Sequence, residues 1–239
     1  MKAKTCTKVY SCGLTCINRE RSCSKELTGP SVQLCSRIAT LVIQKETGRD
    51  LFSTTYIANR EQVKAELAAM LDIPPNHAGN IADAINNYTR TAYTAMRRDE
   101  QMGQPNKDVD LVNEYLAKAP VFSGKIYRGL ALESTDWLTP GSTIEWDAMS
   151  SHSSSILEGY KFAIHGTSKT RDKKVIIEIE DNLSGVSIQD FSAFQAEKEI
   201  LVPKGSRYQV LSKRVDQVDD FYGEDIKHAV EVYTVREIK

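Results

Sequence analysis

The hydrophobic pattern changes period near Pro120, and that switch constrains the fold more than any other feature of the chain. Before it, apolar residues recur at helical spacing: Val63, Leu67, Met70 and Leu71 in a stretch closed by Pro74-Pro75, then Ile81, Ile85, Tyr88, Ala92, Tyr93 and Met96 in a helix starting near Asn80. A loop at Gly103-Gln104-Pro105-Asn106 leads to a short helix from Val109 to Lys118. After Pro120 the pattern predicts strands near 125–130, 143–148, 174–180, 186–189, 198–203, 207–213 and 228–237, with one helix near Ser155–His165. Helices first and strands afterwards predict an α+β domain over residues 37–239, its helical part about 60–118 and its β core about 120–239.

The first 36 residues have a separate character. All five cysteines lie there: Cys6, Cys12, Cys16, Cys23 and Cys35. Only Cys12-x3-Cys16 has a spacing common in zinc sites, and no histidine is near to complete one. Zinc held by Cys12, Cys16, Cys6 and Cys23, disulfides, and free thiols all stay open as readings. The segment reads as an appendage for docking a partner, packaging or delivery, without catalysis. The stretch from Arg37 to Gln44 is apolar and fits either helix or strand.

A net charge of -1 gives no general polyanion-binding signature, so neither bulk nucleic-acid binding nor membrane attraction is expected. No apolar run approaches the roughly 20 residues needed to span a bilayer. The basic N-terminus has no apolar core of a secretory signal. These features predict a chain acting in the cytoplasm, or delivered into a target cell by a signal-independent route.

Chemistry is concentrated in three places. Near the C-terminus, Glu197 and Glu199 precede the run Ile200-Leu201-Val202-Pro203-Lys204-Gly205. On a strand, residues two apart share a face, roughly 6.5–7 Å apart. Like charges so placed repel each other, whereas a site that stabilises a cation and accepts a proton needs both. Solvated strand faces also carry such pairs. Upstream, Arg128 sits in the β-prone Ile126-Tyr127-Arg128-Gly129-Leu130, where Gly129 permits close backbone approach to a ligand. Between the two, Ser150-Ser151-His152-Ser153 reads as a polar turn closing a short β-prone stretch.

In chain order, strand-Arg, Ser-Ser, and Glu-x-Glu before Leu-x-Pro-x-Gly resemble the R-S-E signature of the arginine-class mono-ADP-ribosyltransferases. That family includes clostridial binary toxins, phage head-associated transferases and vertebrate ecto-enzymes. Lys174–Ile179 and Phe191-Ser192-Ala193-Phe194-Gln195 are similar to its strand and acceptor-recognition loop, so the resemblance covers about residues 80–239. It implies N-terminal helices packed on a mixed two-sheet β core. It also implies NAD as co-substrate, with no catalytic metal, and a target protein whose arginine receives ADP-ribose.

The resemblance further implies roles for single residues. Glu199 would stabilise the oxocarbenium character of the ribose, and Ser150 would hydrogen-bond Glu199 and fix its rotamer. Arg128, with Gly129 beside it, would hold a phosphate or ribose of NAD. Glu197 would receive the acceptor guanidinium and take its proton. Tyr88 or Tyr93 would line the cofactor cleft, with Arg97 or Arg98 near the pyrophosphate. From spacing alone, Ile85, Tyr88, Tyr93 and Met96 form a buried stripe instead. Phe191 and Phe194 either fold into the core or leave one ring exposed to grip the target protein.

Two departures from the family pattern stand out. Ser150-Ser151-His152 replaces the usual Ser-Thr-Ser, and His152 reads as a surface or supporting residue rather than a general base. Gln195 creates an overlapping Q-x-E, which in related enzymes accompanies acceptors other than arginine. Water as acceptor (an NAD glycohydrolase), a non-arginine acceptor, and a non-enzymatic structural module on a degenerate transferase fold are the competing readings.

Overall fold

The structure, a computed structural model, describes residues 10–12, 15–17, 51–221 and 225–238, with side chains from residue 60 onward. The chain divides into two compact units, Met1–Thr55 and Tyr56–Lys239. The first contains an antiparallel hairpin, β1 (Tyr10–Cys12) and β2 (Thr15–Ile17), with Cys12 opposite Thr15. The cysteine side chains, the apolar stretch from Arg37 to Gln44 and the expected boundary at residue 36 lie outside the described residues.

Four helices come next: α1 (Leu51–Leu71), α2 (Pro75–Asn87), α3 (Tyr93–Gln101) and α4 (Lys107–Lys118). Pro75 takes the first helical position of α2, where its missing N–H costs nothing. Pro74-Pro75 therefore starts α2 as well as closing α1, five residues ahead of the expected Asn80. Asn106 caps α4 by accepting from the Asp108 and Val109 N–H groups. Leu67 and Leu71 are buried, whereas Met70, expected on the same stripe, is 45% exposed.

Between α2 and α3 the helix widens into a π-helical turn, Tyr88–Ala92. Such a turn inserts one residue into the helical period and rotates everything after it. The expected stripe breaks there: Ile85, Tyr88 and Met96 are buried, while Tyr93 turns outward and is 52% exposed.

The remaining elements are β3 (Ile126–Leu132), β4 (Thr143–Glu145), β5 (Ser150–Ser153), α5 (Ile156–His165), β6 (Lys173–Ile179), β7 (Val186–Ser187), β8 (Glu199–Val202), β9 (Arg207–Asp219) and β10 (Lys227–Ile238). Among the described residues they form one mixed eight-stranded sheet of order β4-β9-β10-β6-β3-β5-β8-β7, not two sheets. The β6–β10 pair is parallel and the other pairs are antiparallel. A single residue pair, Tyr127 with Ser153, joins β3 to β5. That pair is the one strand-to-strand register contact between β4-β9-β10-β6-β3 and β5-β8-β7 among the described residues. One apolar core packs the helices against Met149, Val186 and Leu201. A second holds Trp146, Ile177, Ile200, Val202 and Tyr208. No described helix is long and apolar enough to cross a membrane.

Candidate active site

Register decides which serine can meet Glu199. Strands β5 and β8 pair antiparallel, with Ser153 opposite Glu199, His152 opposite Ile200, Ser151 opposite Leu201 and Ser150 opposite Val202. Side chains alternate faces, so Ser151, Ser153 and Glu199 share one face while Ser150 and His152 take the other. The expected Ser150–Glu199 contact is therefore corrected. Ser151 bonds the Glu199 carboxyl, and the Ser150 hydroxyl is buried without a partner among the described residues.

The two glutamates do not share a strand as expected. Gln195–Glu197 forms a 3-10 turn, Lys198 takes a left-handed φ of 50°, and β8 begins only at Glu199. The turn is tied to β5, because the Ser153 hydroxyl donates to the Glu197 carbonyl at 2.6 Å and the Ser154 N–H donates to the Lys198 carbonyl at 3.2 Å. Both glutamates nevertheless line the same cleft, of about 420 Å³, together with Tyr88, Tyr93, Arg97 and Arg128.

Glu199 is buried at this cleft, and burial pushes its carboxyl up to about 7, against the lowering effect of the Ser151 hydrogen bond. Behind Ser151 stands Tyr88, its hydroxyl 2.8 Å from the serine Oγ. Burial, with the charge of Glu199 second, pushes Tyr88 up to about 12, so the phenol keeps its proton. Ser151 thus stands between the Tyr88 hydroxyl and Glu199, and either hydroxyl of the Tyr88–Ser151 pair can donate to the other. The result is a relay of Tyr88, Ser151 and Glu199 that fixes the carboxylate rotamer.

Arg128 occupies the other wall, its Cζ 4.7 Å from the centre of the Trp146 ring. Its Nε and Nη1 are buried and make no hydrogen bond among the described residues. Burial first, and Arg97 second, lower its pKa to about 10, which still leaves it charged at neutral pH. Arg97 Nε is likewise buried without a hydrogen-bond partner among the described residues, whereas Arg98 is exposed beside Asp99. Gly129 lines the cleft, but a helix sets its need for glycine. A Cβ there would lie 2.0 Å from the Gly159 carbonyl of α5.

The loop ahead of Glu197 is anchored to the helical layer. Asn86 Nδ2 donates to the Phe191 carbonyl at 2.9 Å, and the Ala193 N–H donates to Thr89 Oγ1 at 3.0 Å. Phe191 is 6% exposed and packs edge-on against Tyr115 at 5.4 Å, so it is a core residue and not a recognition residue. Phe194 is half-buried and lines the cleft. Thr89, Arg90 and Phe162, absent from the sequence motifs, also line it, as do Tyr127, Ser151 and Ser153 from within those motifs. His152, expected at the surface or in a supporting role, is fully buried beside Trp146. No cluster of three or more His, Cys, Asp or Glu suited to a metal ion exists among the described residues.

Arg128, Ser151, Glu197 and Glu199 thus surround one cleft. The ADP-ribosyltransferase exoenzyme family model matches residues 75–232, more than half of the chain, and the chain belongs to that family. The Mycobacterium avium (strain 104) protein Mav, proposed as an NAD(+)–arginine ADP-ribosyltransferase, is 28% identical over 152 residues. That match covers 61% of this chain and only 17% of Mav. The ADP-ribosyltransferase Vis of Vibrio splendidus, solved in complex with agmatine, superposes with a TM-score of 0.53 at 18% identity, covering 79% of this chain and 85% of Vis. The ADP-ribosyltransferase HopU1 of Pseudomonas syringae pv. tomato DC3000 superposes with a TM-score of 0.51 at 14% identity, covering 74% and 83%. At these identities the structural likeness is one of fold.

Proposed function

We propose that this chain transfers ADP-ribose from NAD to an arginine side chain of a target protein, releasing nicotinamide. The observation that carries this reading is Glu199: a buried carboxylate beside Ser151, in a cleft whose opposite wall holds Arg128, with its buried Nε and Nη1 lacking hydrogen-bond partners among the described residues. The donor set fits NAD. Arg128 Nε and Nη1 and Arg97 Nε are buried N–H groups that need acceptors, and the pyrophosphate and riboses of NAD carry many.

In the proposed reaction, the bond between the nicotinamide nitrogen and ribose C1′ breaks, and its electron pair leaves with nicotinamide. Positive charge then spreads over C1′ and the ring oxygen, where ionised Glu199 stabilises it electrostatically. A guanidinium nitrogen of the acceptor bonds to C1′, and its proton passes to Glu197. The likeness to Mav supports arginine as acceptor. The partner is accordingly a protein presenting an arginine at the cleft.

Gln195 favours a second reading, because it shares the 3-10 turn with Glu197 and makes the motif Q-x-E. In that register the acceptor is not arginine, or is water. One experiment separates these outcomes. The protein is incubated with labelled NAD and either agmatine or a cell lysate, and the products are read by mass. ADP-ribosyl-agmatine and an arginine-linked protein adduct support the proposal. Free ADP-ribose without adducts supports hydrolysis, and unconsumed NAD refutes both.

A further inference from the structure

Most of the buried polar side-chain atoms that lack a partner among the described residues gather on one side of β5. They are Arg128 Nε and Nη1, Ser150 Oγ and His152 Nε2. Each such group left unsatisfied costs about 1–3 kcal/mol, so their concentration marks a place built for something polar. Ser150 and His152 lie on the face of β5 opposite Glu199, and His152 still borders the same cleft as Glu199.

His152 sets what that polar group must be. Its Nδ1 lies 2.9 Å from the Ser150 carbonyl, which can only accept, so the ring proton sits on Nδ1. Burial, then the charge of Arg128, pushes the imidazole down to about 3 and keeps it neutral. Nε2 is then a bare lone pair. It packs against the Trp146 ring (centroids 5.8 Å apart), the same ring over which the Arg128 guanidinium lies at 4.7 Å. One aromatic wall thus carries donors that can only donate and an acceptor that can only accept, and both residues line the cleft.

We propose that Arg128 and His152 form a mixed donor–acceptor subsite that takes a neutral ligand group able both to accept and to donate, not a phosphate oxygen. The pyrophosphate of NAD, esterified on both phosphates, carries no proton at neutral pH, and its oxygens would face the His152 lone pair with their own. A hydroxyl or a primary carboxamide accepts from Arg128 and donates to His152. On NAD, the substrate on which this inference rests, such groups are the ribose hydroxyls and the nicotinamide carboxamide. The subsite makes His152 a specificity-determining residue.

The test measures binding of ADP-ribose, nicotinamide and dimethyl pyrophosphate (esterified on both phosphates, as in NAD) to the wild type and to His152→Leu and His152→Gln. His152→Leu should weaken ADP-ribose about five- to tenfold if a ribose hydroxyl is read, or nicotinamide by that factor if the carboxamide is read. Dimethyl pyrophosphate should be unaffected, and His152→Gln, whose amide oxygen accepts, should recover part of the loss. Unchanged affinity for both ADP-ribose and nicotinamide, or an equal loss for dimethyl pyrophosphate, overturns the subsite. Should the leucine variant not fold, the wild type supplies the answer: the ¹⁵N resonance of His152 Nε2 moves when NAD is added, and an unmoved resonance overturns the proposal. A wild type that binds none of the probes or NAD overturns the transferase reading itself and this inference with it.

Discussion

Tyr88 and Ser151 meet hydroxyl to hydroxyl at 2.8 Å, one from a π-helical turn and the other from a strand 63 residues on. Through Ser151 this contact connects the helical layer to Glu199. The π-turn is where a regular helix gives way to the residues of the cleft: Tyr88 faces inward, Thr89 holds the loop of Phe191 and Phe194, and Arg90 and Tyr93 reach the opening. One irregular turn therefore touches both the carboxylate and the loop that would meet the acceptor.

The relay predicts unequal effects for the adjacent serines. Removing the Ser151 hydroxyl removes the interaction that lowers the Glu199 pKa, so Ser151→Ala should move the acid limb of kcat/KM for NAD cleavage above its wild-type midpoint near 7. Activity at pH 7 should fall about tenfold or more. Ser150→Ala, on the far face, should leave the midpoint where it is. pH–rate profiles of the two variants check this.

Glu199 also implies a trade between stability and activity. Its folded pKa of about 7 lies above the ordinary 4.5, so the folded state holds the proton more tightly than the unfolded state. The associated stability is intact below about pH 4.5 and is lost as pH rises through about 7. Glu199→Gln cannot ionise and escapes that loss. Its melting temperature should exceed that of the wild type at pH 8, by on the order of 1–3 kcal/mol in stability, and match it near pH 4.5. Thermal melts at the two pH values are the measurement.

Glu197 sits on a turn rather than on the strand, and the proposed reaction gives it the acceptor's proton. Glu197→Gln should lose transfer to agmatine or protein arginine while keeping much of the NAD hydrolysis, since water needs no carboxylate clamp. If hydrolysis falls as far as in Glu199→Gln, the register centred on Glu197 is the better one.

The two phenylalanines should separate cleanly. Phe191→Ala empties a core position against Tyr115, costing about 3–5 kcal/mol and lowering both activities with the melting temperature. Phe194→Ala, at the cleft, should weaken protein modification while leaving the melting temperature and NAD hydrolysis near wild type. Melts beside both assays distinguish the outcomes.

Much of the fold was legible because apolar periodicity survives tertiary packing: the helices after Glu61 and the strands of the second half stand where the pattern puts them. Strand β5 was not, since Ser150-Ser151-His152-Ser153 has no β-branched or aromatic residue, and its conformation comes from pairing with β8. With several serines in a row, only that register reveals which one faces Glu199. The π-turn was equally hidden, because no residue type announces it, and so the stripe through Tyr93 was carried one position too far. Gly129 was read as serving a ligand when the backbone of α5 is what fills its missing side chain.

The central claim is that Glu199 stabilises the cation formed as nicotinamide leaves. Nicotinamide release from NAD, with and without agmatine, measured for the wild type and Glu199→Gln at pH 8, tests it most directly. The account predicts a folded variant whose release falls about two to three orders of magnitude in both conditions. Turnover within a few-fold of the wild type would contradict it.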